Sequence, residues 1–293
     1  MNAPVIYKAI SGFYYVKNGD KEIVCRARGR FRNEGVKPLV GDYVEYSIEN
    51  GNSGIIERIL ARKNSFLRPA IANIDCMIIL ACAVNPVTDP FLIDRVTVVS
   101  EHSKCKVIIC INKSDIDPGD DLFNIYEKSG YKVIRTSAKT GEGIAELRSV
   151  ISGEISVFTG NSGVGKSSIL NALSSDLNIR VGEVSEKLGR GRHTTRHVEL
   201  FAIGPGTYIA DTPGFSSFDF DRTEHIPKDE LQFCFREFLP FLGKCRFEDC
   251  AHIKEPGCAV IEAVNNSIIS LTRYENYAKL FEFSSQVKVW ELK

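Results

Sequence analysis

The run Ile155-Ser156-Val157-Phe158-Thr159-Gly160-Asn161-Ser162-Gly163-Val164-Gly165-Lys166-Ser167 decides how this chain is read. Its apolar start predicts a strand, and Ser168-Ile169-Leu170-Asn171-Ala172-Leu173 after it predicts a helix. Between them lies G-x-x-x-x-G-K-[ST], in the strand–turn–helix context that this pattern needs. The glycines let the backbone curl so that successive N–H groups point at phosphate oxygens, and the new helix adds the positive end of its dipole. Gly160, Asn161, Ser162, Gly163, Val164, Gly165, Lys166, Ser167 and Ser168 are therefore candidate phosphate contacts. Lys166 can reach the β- and γ-phosphates, and the Ser167 hydroxyl can serve as a ligand to Mg²⁺. The bland alternative is a glycine-rich turn that holds nothing.

Around this stretch the chain is of ordinary globular composition. Its 293 residues leave room for two or three domains, with 43% apolar and 25% charged residues. Lys plus Arg equals Asp plus Glu at 37 each, so a nucleic-acid partner must be argued from local patches. The start Met1-Asn2-Ala3-Pro4-Val5 lacks the pattern of a signal peptide, and no run approaches the ~18 apolar residues of a membrane span. With no export signal, the nine cysteines suggest reduced thiols or metal ligands. A soluble, cytoplasmic protein is expected.

Upstream, residues 1–69 read as all-β, with strands at Phe13–Val16, Ile23–Cys25, Asp42–Tyr46 and Gly54–Glu57. Short strands at this density fit a small barrel of the OB kind. If Cys25 to Arg32 is one strand, Arg26, Arg28, Arg30 and Arg32 leave the same face and can track a phosphate backbone. Phe31, Tyr14 or Tyr15 would be available for base stacking. The alternative is a solvated face balanced by Glu22, Glu34 and Glu45. Asn64 to Pro69 reads as a linker. From Ala70 the pattern changes to the apolar runs Cys76–Ala81 and Lys106–Ile111, which suit parallel strands buried on both faces. Helical spacing from Asp89 to Ser100 and strands at Tyr131–Ile134, Val198–Phe201 and Tyr208–Ala210 complete a doubly wound α/β domain over 70–222. Its ligand belongs at the carboxyl ends of the strands.

Three loops at those ends carry chemistry. In Asn112-Lys113-Ser114-Asp115, the Asp115 carboxylate can accept from guanine's ring N–H and exocyclic amine, a donor pair that adenine lacks. The alternative for Asp115 is a helix cap. Backbone N–H groups of Ser137-Ala138-Lys139 can bind the guanine O6. Asp211-Thr212-Pro213-Gly214 offers a carboxylate to hold Mg²⁺ through water and the Gly214 N–H to sense the γ-phosphate. These motifs resemble those of P-loop GTPases, but Asn112–Asp115 and Ser137–Lys139 precede Gly160, whereas most such GTPases put the phosphate loop first. The resemblance is thus to a circularly permuted GTPase, in which the segment after Gly214 leads directly into the C-terminal region. Gly189 to Arg196 fits a loop that orders on a triphosphate. By resemblance, Thr195 is the Mg²⁺ ligand there, with Thr194 second. Phe215 stands where many GTPases carry a water-orienting glutamine, which leaves His193 as the nearest residue able to hold water. His193 can instead be a loop histidine or an RNA contact.

The last segment, 223–293, begins with a helical pattern from Glu230 to Phe238 and reaches Cys245, Cys250, His252 and Cys258. The C-x₄-C-x-H-x₅-C spacing is a closed donor set for one structural Zn²⁺; the alternative is a few buried thiols and a loop histidine. Cys234 reads as a core residue, and Val260–Val264 and Tyr274–Phe283 as closing helices.

An OB-fold barrel, a circularly permuted α/β GTPase domain and a mostly α zinc-binding domain, in that order, resemble the ribosome small subunit-dependent GTPase A (RsgA) family. Where that family often has a third Thr, this chain has Arg196. The resemblance implies GTP hydrolysis stimulated by the small ribosomal subunit and its rRNA, late in subunit maturation. Lys166 and His193 are the expected catalytic residues, with Ser167, Thr195 and Asp211 expected around Mg²⁺. A monomer with no membrane partner is expected. An RNA-binding scaffold with GTP as conformational ligand, or a GTPase acting on another protein, are the competing readings.

Overall fold

The computed structural model describes residues 3–19, 21–67, 70–174, 198–211 and 226–286. In the first segment, β1 (Val5–Ile10), β2 (Phe13–Asn18) and β3 (Lys21–Ala27) form a meander. A short helix α1 (Gly29–Asn33) follows, then the hairpin of β4 (Val44–Asn50) and β5 (Ser53–Ile59). β5 lies parallel to β3, and the approach to β4 returns to β1 through Ile6 N–H to Asp42 O (2.9 Å) and Gly41 N–H to Ile6 O (2.8 Å). The closed order β1-β2-β3-β5-β4 is a five-stranded barrel of the OB kind. Ile6, Val16, Ile23, Cys25, Val44 and Ile56 fill it.

Two expectations fail here. Cys25 to Arg32 is not one strand: β3 stops at Ala27 and the chain turns into α1. The turn drives Phe31, 5% exposed, into the core, and that burial outweighs the alternation of the arginines. Tyr14, 7% exposed, is also a core residue, so neither ring is available for stacking; Tyr15 is half-buried against Tyr7. Asn64 to Pro69 is not a plain linker either. β6 (Ser65–Leu67) pairs with β7 (Ala70–Ala72), and Phe66 is buried. The Asn64 amide bonds the backbone of Ile74, while Asn73 Nδ2 donates to Gly41 O (2.9 Å), so side-chain amides strap this hairpin to the barrel.

The central region contains β8 (Cys76–Ala81), α2 (Pro90–His102), β9 (Lys106–Asn112), α3 (Asp120–Lys128) and β10 (Lys132–Thr136). It continues with α4 (Ile144–Val150), β11 (Ile155–Thr159), α5 (Lys166–Leu173), β12 (Glu199–Gly204) and β13 (Thr207–Asp211). Strands β10-β9-β8-β11-β13 are parallel, and β12 is antiparallel to β13. Every residue of β8 is buried: Met77, Ile79 and Ala81 share a core with α2 and α3, and Ile78 and Leu80 share one with α4 and α5. Two-sided burial explains the continuous apolar run. β12 also pairs with β1, so barrel and central sheet form one hydrogen-bonded ribbon.

The last region contains α6 (Lys228–Leu231), α7 (Ala259–Asn265) and α8 (Leu271–Gln286). The helix expected from Glu230 to Phe238 is broken. Gln232–Cys234 and Arg236–Phe241 are 3₁₀ turns separated by Phe235 in an extended conformation (φ −109°, ψ 101°). The break lets both Phe235 and Phe238 pack on Tyr277, with ring centroids at 5.2 and 4.8 Å. Cys234 is a core residue, as expected. Among the described residues no helix is long and apolar enough to cross a membrane.

Candidate functional site

The parallel strands place their carboxyl ends along one edge of the sheet. β9 ends at Asn112 beside the end of β10 at Thr136, and β11 ends at Thr159 beside β8. The loops Asn112–Asp115, Ser137–Lys139 and Gly160–Lys166 therefore meet there, and Asp211 closes β13 on the far side of β11. Three stretches far apart in sequence become one site because the sheet order brings their strands together.

The phosphate loop is held from below. Gly165 has φ 97°, and a Cβ on it would lie 2.3 Å from Asn112 Nδ2. That amide needs the space, because it donates to Val164 O at 2.8 Å with Asn112 only 2% exposed. Asn112 therefore serves the phosphate loop directly, so the two motifs share one hydrogen bond. The first turn of α5 has no side-chain cap, and such a helix N-terminus suits an anion. Lys166, Ser167 and Ser168 open that helix, half-buried.

Between the other two loops, Ser137 Oγ donates to Asp115 Oδ1 at 2.7 Å, and Lys139 Nζ lies 3.9 Å from Asp115 Oδ2. An ionised carboxylate has about four lone-pair directions, so oxygens held this way can still accept from a base. The capping alternative for Asp115 fails, since the helix that follows begins at Asp120 with Gly119 as its cap. Lys113 reaches away and donates to Asn85 O in the loop after β8. That loop borders the phosphate loop: a Cβ on Gly163 would touch Pro86 at 3.3 Å. Nothing in the residue types of Asn85 or Pro86 signals this. His193, Thr194, Thr195, Gly214 and Phe215 lie outside the described residues.

The cysteine–histidine spacing closes as expected. Donor atoms of Cys245, Cys250, His252 and Cys258 all lie within 4.8 Å of one another. Cys245 Sγ and Cys258 Sγ are 3.9 Å apart, and His252 Nδ1 lies 3.5 and 3.3 Å from them. A tetrahedral zinc with bonds of about 2.3 Å to sulfur and 2.0 Å to nitrogen requires separations of about 3.8 and 3.5 Å. The residues fit that ion. The other imidazole nitrogen, Nε2, donates to Gln232 Oε1 at 2.9 Å, which fixes the tautomer with the Nδ1 lone pair facing the thiols. Gln232 lies twenty residues upstream of His252, beyond any ligand spacing, and the sequence reading missed it. Glu255, missed likewise, accepts from the N–H groups of Ala251, Ile253 and Lys254, each at 2.9 Å. Burial pushes the Cys250 thiol up to about 12 and the His252 imidazole below its usual value. A divalent cation reverses the preference of the thiols. With four protein donors the set is closed and leaves no position for water on a tetrahedral ion.

Two of the four arginines converge on Glu57. Arg26 stacks over Phe13 (4.9 Å), Arg28 pairs with Glu57 (2.8 Å), and Arg30 reaches Glu57 O and the Phe31 ring. All three are exposed, and Arg32 lies on α1.

Comparison with known proteins agrees with this geometry. A family profile described as the RsgA GTPase matches residues 59–221, and one described as the RsgA N-terminal domain matches residues 5–56. The chain is 47% identical over 278 residues to the small ribosomal subunit biogenesis GTPase RsgA of Caldanaerobacter subterraneus subsp. tengcongensis, covering 94% of this chain and 93% of that one. It is 44% identical over 293 residues to the protein of the same name from Agathobacter rectalis, with 94% and 96% covered. The crystal structure of YjeQ from Thermotoga maritima superposes with a TM-score of 0.83 at 37% identity, covering 97% of this chain and 99% of that one. That of YloQ, described as a circularly permuted GTPase, gives 0.79 at 36% identity over 97% and 96%. With the Asn112–Asp115 and Ser137–Lys139 loops on strands that precede Gly160–Ser167, and with likeness over nearly its whole length, the chain belongs to the RsgA family of circularly permuted GTPases.

Proposed function

We propose that this chain hydrolyses GTP when it engages the small ribosomal subunit and its rRNA, as a checkpoint in late subunit maturation in the cytoplasm. The observation that carries this reading is 47% identity, over 94% of the chain, to a small ribosomal subunit biogenesis GTPase. The protein acts as a monomer with three units: an RNA-binding barrel over 1–69, the GTPase over 70–222 and a zinc-stabilised region over 223–293. Arg26, Arg28, Arg30 and Arg32 contribute backbone contacts to RNA.

In the site, Gly160, Asn161, Ser162, Gly163, Val164 and Gly165 wrap the phosphates with backbone N–H groups. Lys166, Ser167 and Ser168 bind them from the helix, and the Gly214 N–H reads the γ-phosphate. Asp115, between Asn112 and Lys113 on one side and Ser137, Ala138 and Lys139 on the other, selects guanine. Ser167, Thr195 and Asp211 would hold a Mg²⁺ that neutralises charge on the β- and γ-oxygens. His193 positions the water for in-line attack, and Lys166 stabilises the charge that develops on the transferred phosphoryl group. The Cys245, Cys250, His252 and Cys258 set would hold one structural Zn²⁺.

Turnover of GTP by the protein alone, with small subunits, and with large subunits, using ATP as control, tests the reading. Stimulation is expected with GTP and small subunits only. A rate indifferent to subunits would remove the ribosomal partner, and subunit binding that follows nucleotide state without turnover would favour a scaffold. Lys166→Ala should lose tight triphosphate binding. His193→Ala should bind normally and lose stimulated turnover.

A further inference from the structure

The two loops that read guanine in the proposed site have to keep a fixed spacing, since one holds Asp115 and the other supplies N–H groups to O6. Their strands supply part of it: β9 and β10 pair up to Asn112 and Thr136, and Ser114 N–H donates to Thr136 O at 3.1 Å. Beyond that point the sheet ends; the Ser137 hydroxyl ties the loops at one place by donating to Asp115 Oδ1 at 2.7 Å, and a second tie comes from the turn that follows.

Glu142 makes that second tie with both its main chain and its side chain. Its carbonyl accepts from Ser137 N–H at 3.0 Å, which closes the loop that carries Ser137, Ala138 and Lys139. Its carboxylate Oε2 lies 2.8 Å from Ser114 Oγ, in the loop of Asp115. The Ser114 hydroxyl has one proton and two acceptors within reach, Thr136 O at 3.0 Å and this carboxylate. Thr136 O already receives the Ser114 N–H, and the bond to an ionised acceptor is the stronger, so Glu142 takes the proton. The turn around Glu142 is packed tightly on the end of β10. Gly143 has φ 69°, and a Cβ there would lie 2.0 Å from Arg135 O, so the backbone is pressed against the end of β10.

We propose that Glu142 is a positioning residue for base specificity, a brace that sets the spacing between the Asp115 carboxylate and the N–H groups of Ser137 to Lys139. It acts through Ser114 and Ser137 and touches no nucleotide atom. The inference rests on the proposed assignment of Asp115 and Ser137–Lys139 to guanine.

The test is calorimetric titration of the full chain with GDP and with inosine diphosphate, which lacks the exocyclic amine, for Glu142→Ala and Glu142→Gln. Loss of one such bond predicts GDP affinity about five- to tenfold weaker in Glu142→Ala. Because Asp115 then bonds two donors less well, the ratio of GDP to inosine diphosphate affinity should fall with it. Glu142→Gln keeps an acceptor oxygen for Ser114 and should stay within about twofold of the parent. An unchanged ratio in Glu142→Ala, or equal damage in Glu142→Gln, overturns the inference. Asp115→Asn separates the two levels, since it should turn preference from guanosine to xanthosine diphosphate. If that variant keeps GDP, the base-site assignment falls and the brace with it. If it switches while Glu142→Ala keeps its ratio, the brace alone falls.

Discussion

The barrel and the cysteine–histidine region flank the same central sheet, but the sheet holds them by different means. β12 touches β1 through the single paired position Lys8 and Glu199, whose side chains bond at 2.9 Å and are 29% and 30% exposed. Next to this seam lies a cavity of about 780 Å³, lined by Lys17, Tyr43, Lys63, Asp75 and Tyr208 among others. The other seam is dry. Arg273 and Asp94, both with 0% exposed side chains, bond at 2.6 Å, and Arg273 also bonds Glu237 at 2.6 Å. Asn276 and Tyr126 complete the Asp94 carboxylate at 2.7 and 2.8 Å. Burial pushes Asp94 up despite these partners, while Asp94 and Glu237 outweigh burial at Arg273 and hold it cationic. Arg236 adds a bond to Glu101 at 2.7 Å. Every one of the partners Asp94, Thr97 and Glu101 stands on α2, so that helix is the bed on which the cysteine–histidine region lies. An exposed joint can shift at little cost, whereas a desolvated polar network tolerates one arrangement.

Metal removal is the strongest way to break this contrast. Structural zinc is worth roughly 10 kcal/mol or more to small domains, so chelation should unfold the Cys245–Cys258 segment. Amide exchange should then rise in α8 and on α2 and stay unchanged in β1 to β5. Equal loss of protection in the barrel would mean that the two seams are one cooperative unit. Next in size, Arg273→Ala should lower stability by about 3–5 kcal/mol in urea unfolding, because it strands two buried carboxylates. Replacing Arg273, Asp94 and Glu237 together by apolar residues should recover most of that loss. Asn276→Ala removes one partner from Asp94 and should cost about 1–3 kcal/mol in the same assay. Lys8→Ala should cost under about 1 kcal/mol, and less in high salt. A Lys8 effect as large as that of Arg273 would erase the distinction.

What the sequence made legible was local or short in range. The strand, glycine turn and helix from Ile155 to Leu173 read correctly because all their determinants are neighbours. The Cys245 to Cys258 spacing did so because a tetrahedral ion imposes it. The arginines from Arg26 to Arg32 misled because alternation is also compatible with a strand that ends and a helix that begins. The break at Phe235 depends on Tyr277, and the strapped hairpin at Asn64 depends on Ile74, so neither is written in its own stretch. Gln232 and Arg273 were invisible for the same reason: their partners His252, Asp94 and Glu237 are distant in the chain.

The single ribbon from β10 to β4 also bears on how the chain avoids sticking to itself. β10 ends the central sheet on one side, five residues long with Lys132 and Arg135 on it, the short charged kind of edge that resists adding a foreign strand. On the other side β12, Glu199-Leu200-Phe201-Ala202-Ile203-Gly204, has no such charges along its middle, and β1 pairs with it at its first residue, Glu199. A protein cut after the barrel would leave the start of that edge unpaired as well. The barrel therefore blocks the entry to that edge at Glu199, and during synthesis the block is made first.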